Sequence, residues 1–345
     1  MRIGIVNDLL LARETLRRAV VSTAEHQVAW LVGDGAEAVA AARRDPADLI
    51  LMDLIMPVMD GVQATRRIMA DAPCPILVVT ATVSGNVCKV YEAMGFGALD
   101  AVDTPTLGPR GDLNGVEALL AKIATIGKLT GKSSGDYAVI RPPPPLPASV
   151  PARPAPGTPL VAIGASTGGP NALAEVLGAF PKQWGAAVVL IQHVDVAFAS
   201  GLARWLKEKT GRSVEIVREG ARPEPGTIVL AATNDHLLLD SSGRFAYTAE
   251  PMKQNFRPSV DVFFKSAAAH WPAGGAAVVL TGMGRDGAAG LLLLRRAGWL
   301  TIAQDQATSV VWGMPRAAVE VGGAALVLPI SRIGAAVHED LRSRL

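Results

Sequence analysis

VAIGASTGGP, residues Val161 to Pro170, is the stretch from which the rest of the chain is read. Val161, Ala162 and Ile163 end a buried-strand pattern, and Pro170 followed by Ala172, Leu173, Val176 and Leu177 opens a helical one. Between them, Gly164, Ser166, Gly168 and Gly169 allow a sharp turn. That turn sets the Ser166 hydroxyl at the carboxyl edge of a sheet, beside a helix amino terminus that favours negative charge. Three uses suit this geometry: a nucleophilic serine, a serine that merely caps the helix, and a cradle for a phosphate or dinucleotide. The motif by itself does not choose among them.

Downstream, the pattern continues as an α/β unit. Leu160–Gly164, Ala186–Gln192, Val214–Val217, Thr227–Ala232, Ala276–Gly282, Trp299–Gln304 and Ala325–Pro329 read as strands, most of them separated by helical stretches. HLLLD and FAYTA, on either side of Ser241–Arg244, read as an inserted hairpin. A nucleophilic serine needs a base within hydrogen-bond reach. Of the five histidines, His193 ends the run AVVLIQ and leaves the sheet at the same edge as Ser166, one strand later. His236 stands at the hairpin edge after Asn234 and Asp235, His270 and His338 lie in helical stretches, and His26 belongs to the amino-terminal half. LTGMGRDGAAG, Leu280 to Gly290, repeats the sequence of strand, Gly-rich turn and helix with Asp286 at the turn. An aspartate there serves either as a helix cap or as the carboxylate that holds an imidazole tautomer. Ser166, His193 and Asp286 at three strand ends have the residue types and placement of an acyl-transfer triad. Their order differs from the Ser, Asp, His order of the α/β-hydrolases. A dinucleotide fits less well, because Gln192-His193 offers no acid to a ribose hydroxyl and Ser166 stands where that fingerprint has its second glycine.

Upstream of the serine motif, Val139–Pro159 contains RPPPPLPASVPARPAPGTP, a proline-dense, aromatic-poor stretch expected to act as a stiff tether. Before it, RIGIV, VAWLVG, DLILM, PILVV and GALDAV alternate with helical patterns near Leu9–Val21, Ala36–Arg43, Gly61–Ala70, Asn86–Met94 and Gly115–Ile126. Five strands alternating with five helices argue a parallel sheet covered on both faces. The expected organisation is a unit over 1–127, a linker over 128–158 and a second unit over 159–345. Acidic groups follow the strands of the first unit: Asn7 and Asp8 after IGIV, Asp53 after LILM, with Thr80 after ILVV. Mg²⁺ takes about two carboxylates with carbonyl and water oxygens, and a hydroxyl can grip a phosphoryl oxygen. Met56–Gly61 adds a Pro and Asp-Gly turn beside them.

The composition narrows the class. The chain has 345 residues, half of them hydrophobic, enough for two cores. Thirty-three basic against thirty-one acidic residues leave a net charge of +2, with no nucleic-acid footprint and no polybasic membrane face. Cys74 and Cys88 have neither metal spacing nor a disulfide framework, which fits a reducing, cytoplasmic setting. MRIGIVNDLLLARE is interrupted by Asn7 and Asp8 too soon for a signal peptide, and no apolar run approaches a membrane span, so no membrane insertion is expected.

On the residues named above, the first 127 or so positions resemble a two-component receiver domain, a flavodoxin-like five-stranded parallel sheet. The resemblance implies a histidine kinase as phosphoryl donor, Asp53 as phosphoacceptor, Mg²⁺ held by Asp8 and Asp53, and Thr80 as the switch hydroxyl. The chain departs from that pattern in having Asn7 where the family has an acid, and Thr104 before Pro105 where it has a lysine. The opening MRIGIVNDLL and the lysine-free GALDAVDTP are similar to the surface-sensing subgroup of chemotaxis-type regulators.

GASTGGP, VVLIQHV, EPGTIVLAATNDHLLL, NFRPSVDVFFKSAA, LTGMGRDGAAGL and TIAQDQATSVVWGMPRAA resemble the catalytic domain of the chemotaxis protein-glutamate methylesterases, a doubly wound α/β fold. This resemblance implies Ser166 as nucleophile, His193 as general base and acid, Asp286 as orienting carboxylate and backbone donors near Met283 for the oxyanion. The substrates it implies are glutamate γ-methyl esters, and glutamine amides, on chemoreceptor cytoplasmic helices, with no cofactor for the esterase and with phosphorylation relieving a block by the receiver. The alternative kept beside it is a non-catalytic adaptor that binds receptor helices when phosphorylated. Arg257 and Gln254 are candidate groove residues only.

Overall fold

The computed structural model describes residues 1–81, 86–108, 113–130, 157–182, 184–194, 196–252 and 256–344. Most of the expected tether, 131–156, lies outside the described residues, as does Gln254. The chain divides into two compact units, one ending and the other beginning within that stretch.

In the first unit the strands are β1 (Arg2–Val6), β2 (Gln27–Val32), β3 (Leu49–Met52), β4 (Ile76–Thr80) and β5 (Asp100–Asp103). All pair in parallel, in the order β2-β1-β3-β4-β5. Their near-continuous apolar runs follow from burial on both faces. Helices α1 (Leu10–Val21), α2 (Gly35–Arg44), α3 (Gly61–Asp71), α4 (Val87–Gly95) and α5 (Val116–Thr130) alternate with them. Alternate strand residues Ile3, Ile5, Leu49, Leu51, Leu77 and Val79 form one core with Leu16 and Val20 of α1 and Leu119 and Ile123 of α5. A two-residue antiparallel pair, β6 (Thr106–Leu107) with β7 (Leu113–Asn114), was not expected from the sequence. Helix α5 runs three residues beyond the expected limit at 127.

The second unit carries β8 (Leu160–Ala165), α6 (Gly169–Gly178), β9 (Ala187–Gln192), α7 (Val196–Thr210), β10 (Glu215–Ile216), β11 (Ile228–Leu230), β12 (His236–Leu239), β13 (Phe245–Thr248) and α8 (Val260–His270). It continues through β14 (Gly275–Val279), α9 (Ala288–Arg296), β15 (Leu300–Gln304), α10 (Met314–Glu320), β16 (Leu326–Leu328) and α11 (Ile330–Arg344). Seven strands form a parallel sheet in the order β10-β11-β9-β8-β14-β15-β16, and β12–β13 is the expected hairpin. Strand β10 is shorter than its apolar pattern suggested because it is an edge strand, paired on one side only. The chain leaves β8 toward β9 and leaves β14 toward β15, on opposite sides. The boundary between β8 and β14 is therefore a switch point, where open α/β sheets form a crevice at the carboxyl ends of their strands.

One contact ties this crevice to α8. Gly164 lies in β8 between Ile191 and Val279, and a Cβ on it would come within 2.2 Å of Val260 Cγ1. Val260 is fully buried at the first turn of α8. Gly164→Ala is therefore expected to destabilise the second unit by about 1–3 kcal/mol through overpacking. Urea unfolding followed by tryptophan fluorescence measures it, since most of the six tryptophans belong to that unit.

Candidate active site

Ser166 follows β8 directly and is 8% exposed. Its N–H donates to Thr281 O at 3.0 Å, extending the β8–β14 ladder past the strand end. Its carbonyl accepts from Gly169 N at 2.7 Å and from Gln192 Nε2 at 2.8 Å, so two donors pin the turn. Gly168, with φ 77°, starts α6, and Pro170 stands in the first turn, where its missing N–H costs nothing. Gly168, not the serine, occupies the capping position of α6.

His193 leaves the next strand at the same level. Ala165 pairs with Gln192 across β8 and β9, and His193 N donates to Ala165 O at 3.0 Å, which sets Ser166 and His193 side by side. Nε2 of His193 lies 2.8 Å from Asp286 Oδ2, with both side chains under 8% exposed. An ionised carboxylate only accepts, so Nε2 carries the proton and Nδ1 is the free base. Nδ1 is buried and has no hydrogen-bond partner among the described residues. Phe256 stacks on the imidazole, with centroids 4.3 Å apart and planes 6° apart.

Asp286 does not cap its own helix: α9 begins after Gly287 without a side-chain cap. Its carboxylate instead sits on the amino terminus of α8. Oδ1 accepts from Ser259 Oγ at 2.8 Å and Asp261 N at 3.0 Å, and Oδ2 accepts from Val260 N at 2.7 Å as well as from His193. Burial pushes the carboxyl up, but His193 and these donors outweigh it and hold Asp286 below the usual aspartate range. The stability this contributes is present above pH about 4 and is lost as pH falls through the lowered value.

The third edge of the crevice is the turn after β14. A Cβ on Gly282 would fall 2.7 Å from Ser166 Cβ, so the Gly282–Met283 peptide passes directly against the serine. Gly282 donates to Val311 O and accepts from Gly313 and Met314, which fixes this peptide. No hydrogen bond from Met283 N–H occurs among the described residues, which leaves a donor for an oxyanion. Arg257 points to Met252.

In the first unit, the neighbouring strands β1, β3 and β4 carry Asp8, Asp53 and Thr80 to one edge. Asp53 is 8% exposed; its Oδ2 accepts from Asn7 Nδ2 at 2.9 Å and its Oδ1 from Leu54 N at 2.7 Å. Burial pushes its pKa up to about 6 against the backbone hydrogen bonds from Leu54 and Ile55, and the Asp8 charge adds to the rise. Because the folded value is raised, stability falls as pH climbs from about 4 to 6 and the buried charge forms. Two carboxylates with oxygen donors suit a hard divalent cation that would relieve this charge, so Asp8 and Asp53 fit Mg²⁺. Thr80 Oγ1 accepts from Asn86 Nδ2 at 3.2 Å. Thr104 N donates to Thr80 O, and the Thr104 hydroxyl is buried without a partner among the described residues.

The sequence did not single out Ser259 or Phe256 as site residues, nor Gln192 as the tie to Ser166. Only Gln192 left a signal there, as an amide ending a buried apolar run. Among the described residues no helix is long and apolar enough to cross a membrane.

Known proteins match this architecture from end to end. The CheB methylesterase family matches residues 161–337, and the response regulator receiver domain matches residues 3–107. A protein-glutamate methylesterase/protein-glutamine glutaminase of Mesorhizobium japonicum is 54% identical over 98% of each chain, and one of Burkholderia lata is 52% identical over 96% of this chain and 97% of its own. The crystal structure of the Thermotoga maritima CheB methylesterase catalytic domain, 34% identical, covers 53% of this chain and 98% of its own with a TM-score of 0.51. With a receiver ahead of a seven-stranded sheet that gathers Ser166, His193 and Asp286 at its switch point, the chain belongs to the CheB methylesterase family.

Proposed function

We propose that this chain is a phosphorylation-regulated serine hydrolase that removes methyl groups from glutamate γ-methyl esters of chemoreceptors and deamidates receptor glutamines. The observation that carries the reading is the bond from His193 Nε2 to Asp286, which leaves Nδ1, without a partner among the described residues, as the base beside Ser166. Ser166 Oγ attacks the γ-carbonyl while its proton passes to Nδ1. The imidazolium is stabilised by Asp286, and Met283 N–H donates to the oxyanion. Collapse expels methanol, which takes the proton from Nδ1; for a glutamine, ammonia leaves instead. Water then attacks the glutamyl ester, gives its proton to Nδ1, and restores Ser166 as the second carbonyl addition collapses.

The regulatory half is a receiver ending with α5, a proline-rich tether and the esterase beyond it. Asp53 accepts the phosphoryl group from a histidine kinase and Thr80 is the switch hydroxyl; Asp8 and Asp53 would hold Mg²⁺, which would supply charge neutralisation at the phosphoryl group. The Thr104 hydroxyl stands in for a lysine at this edge without its charge. Methanol release from methylated chemoreceptor fragments by the full-length protein is expected to rise when a small-molecule phosphodonor and Mg²⁺ are added. Asp53→Asn is expected to abolish that rise and keep the basal rate. No methanol from the wild type would sink the esterase reading, and an equal rise in Asp53→Asn would sink Asp53 as its trigger.

A further inference from the structure

His236 is fully buried at the start of β12, where it pairs with Thr248 across the hairpin. It is too deep to touch substrate, and its bonds lead elsewhere. Helix α8 begins at the capping residue Ser259, whose Oγ accepts from Val262 N at 3.3 Å. In a complete capping box, the third helical residue returns a side chain to the N–H of the capping residue. Here that residue is Val262, which has no such group. The return arm comes from another element: His236 Nδ1 accepts from Ser259 N at 3.1 Å. Accepting there leaves the proton on Nε2, which faces Pro251 O at 3.4 Å.

Ser259 then has one hydroxyl proton, and it goes to Asp286 Oδ1. The path from His236 to the catalytic imidazole is continuous: His236 Nδ1, Ser259, the Asp286 carboxylate and His193 Nε2. We propose that His236 is a positioning residue of the esterase, whose unprotonated Nδ1 sets Ser259 and thereby the angle at which Asp286 meets His193. A protonated Nδ1 would turn from acceptor to donor and oppose the Ser259 N–H. The charged groups facing His236 are Arg257, which disfavours its protonation, and Asp286 and Asp235, which favour it; burial outweighs these and holds the ring neutral below the usual histidine range.

The inference rests on the esterase reading, and its test separates the two. kcat and KM for methanol release by the full-length protein are measured from pH 5 to 9 for wild type, His236→Leu and His236→Asn, with far-UV circular dichroism at each pH. Asn offers a side-chain oxygen near the place of Nδ1, whereas Leu offers no acceptor. His236→Leu is expected to lower kcat roughly tenfold or more with KM nearly unchanged, and His236→Asn to recover most of it. On the acid side, the log kcat of wild type falls with a slope steeper by one proton than that of His236→Asn, the additional step belonging to His236. A fully active His236→Leu overturns the inference, as does equal impairment of both variants with the wild-type acid limb. If neither variant folds, imidazole NMR of the wild type decides: His236 titrating outside the pH range of the additional kcat step overturns the inference, and titration within that range supports it. A wild type that releases no methanol fails the esterase reading instead.

Discussion

Ser166→Ala is expected to lower kcat for methanol release by about 10⁴-fold or more while leaving the fold intact. Only the hydroxyl is lost: the backbone bonds of residue 166 to Thr281, Gly169 and Gln192 do not involve the side chain, and its Cβ already lies against Gly282. Ala fills the same space short of one oxygen, so thermal unfolding should shift by a degree or two at most. The residual rate should be that of the oxyanion donor and bound substrate acting on water. Receiver phosphorylation, read with a radiolabelled phosphodonor, should be unaffected, because Asp53 belongs to the other compact unit. A variant retaining more than a tenth of the wild-type kcat would remove Ser166 from the chemistry and return the serine to a simple strand-to-helix turn.

That turn was legible because its signals are local. An apolar run, spaced glycines and a proline at a helix start specify a strand, a bend and a helix within ten residues, and the same grammar at Leu280–Gly290 gave the turn bearing Asp286. The seven strands and the hairpin followed from periodicity, and so did the shared edge of Ser166 and His193. What the sequence could not carry was the role of α8. Ser259 lies 27 residues from Asp286 and 23 from His236, and no periodicity relates them. Their meeting depends on Val260 seating against Gly164 and Gly287, a fit between three elements that exists only after the sheet has formed. The ordinary local use of an aspartate ahead of a helix is to cap that helix. Tertiary packing gives Asp286 a different helix to cap, and the capping bonds orient the carboxylate. In the receiver, Asp8, Asp53 and Thr80 were readable as strand-end residues, whereas the Asn7 amide on Asp53 was not, because it depends on the register of β1 against β3.

The dual duty of Asp286 makes Asp286→Asn the sharpest test of the proton bookkeeping. With its oxygen in the place of Oδ1, the asparagine keeps the bonds from Ser259 Oγ and Asp261 N. Its amide nitrogen is then left facing His193 Nε2 and Val260 N, both of which donate in the native protein. Two donors cannot share one bond. His193 responds by moving its proton to Nδ1 and accepting the amide hydrogen on Nε2, which takes away the base that Ser166 needs. The expected result is a fall in kcat of about 10⁴-fold with little change in KM, the cost typical of a wrong imidazole tautomer. Val260 N–H loses its acceptor at the same time, so α8 should also lose stability by about 1–3 kcal/mol. Asp286→Ala distinguishes the two effects. It removes the carboxylate but imposes no tautomer, so the fraction of His193 with a free Nδ1 persists, and its kcat is expected to exceed that of Asp286→Asn even though it leaves more donors at the α8 amino terminus unpaired. Nitrogen NMR of the His193 ring reads the tautomer directly: protonated Nε2 in the wild type and protonated Nδ1 in Asp286→Asn. An Asn variant with the wild-type tautomer, or one more active than Asp286→Ala, would mean that Asp286 acts only as a cap for α8 and that the imidazole is oriented by something else, with Phe256 stacked on its face the next residue to test.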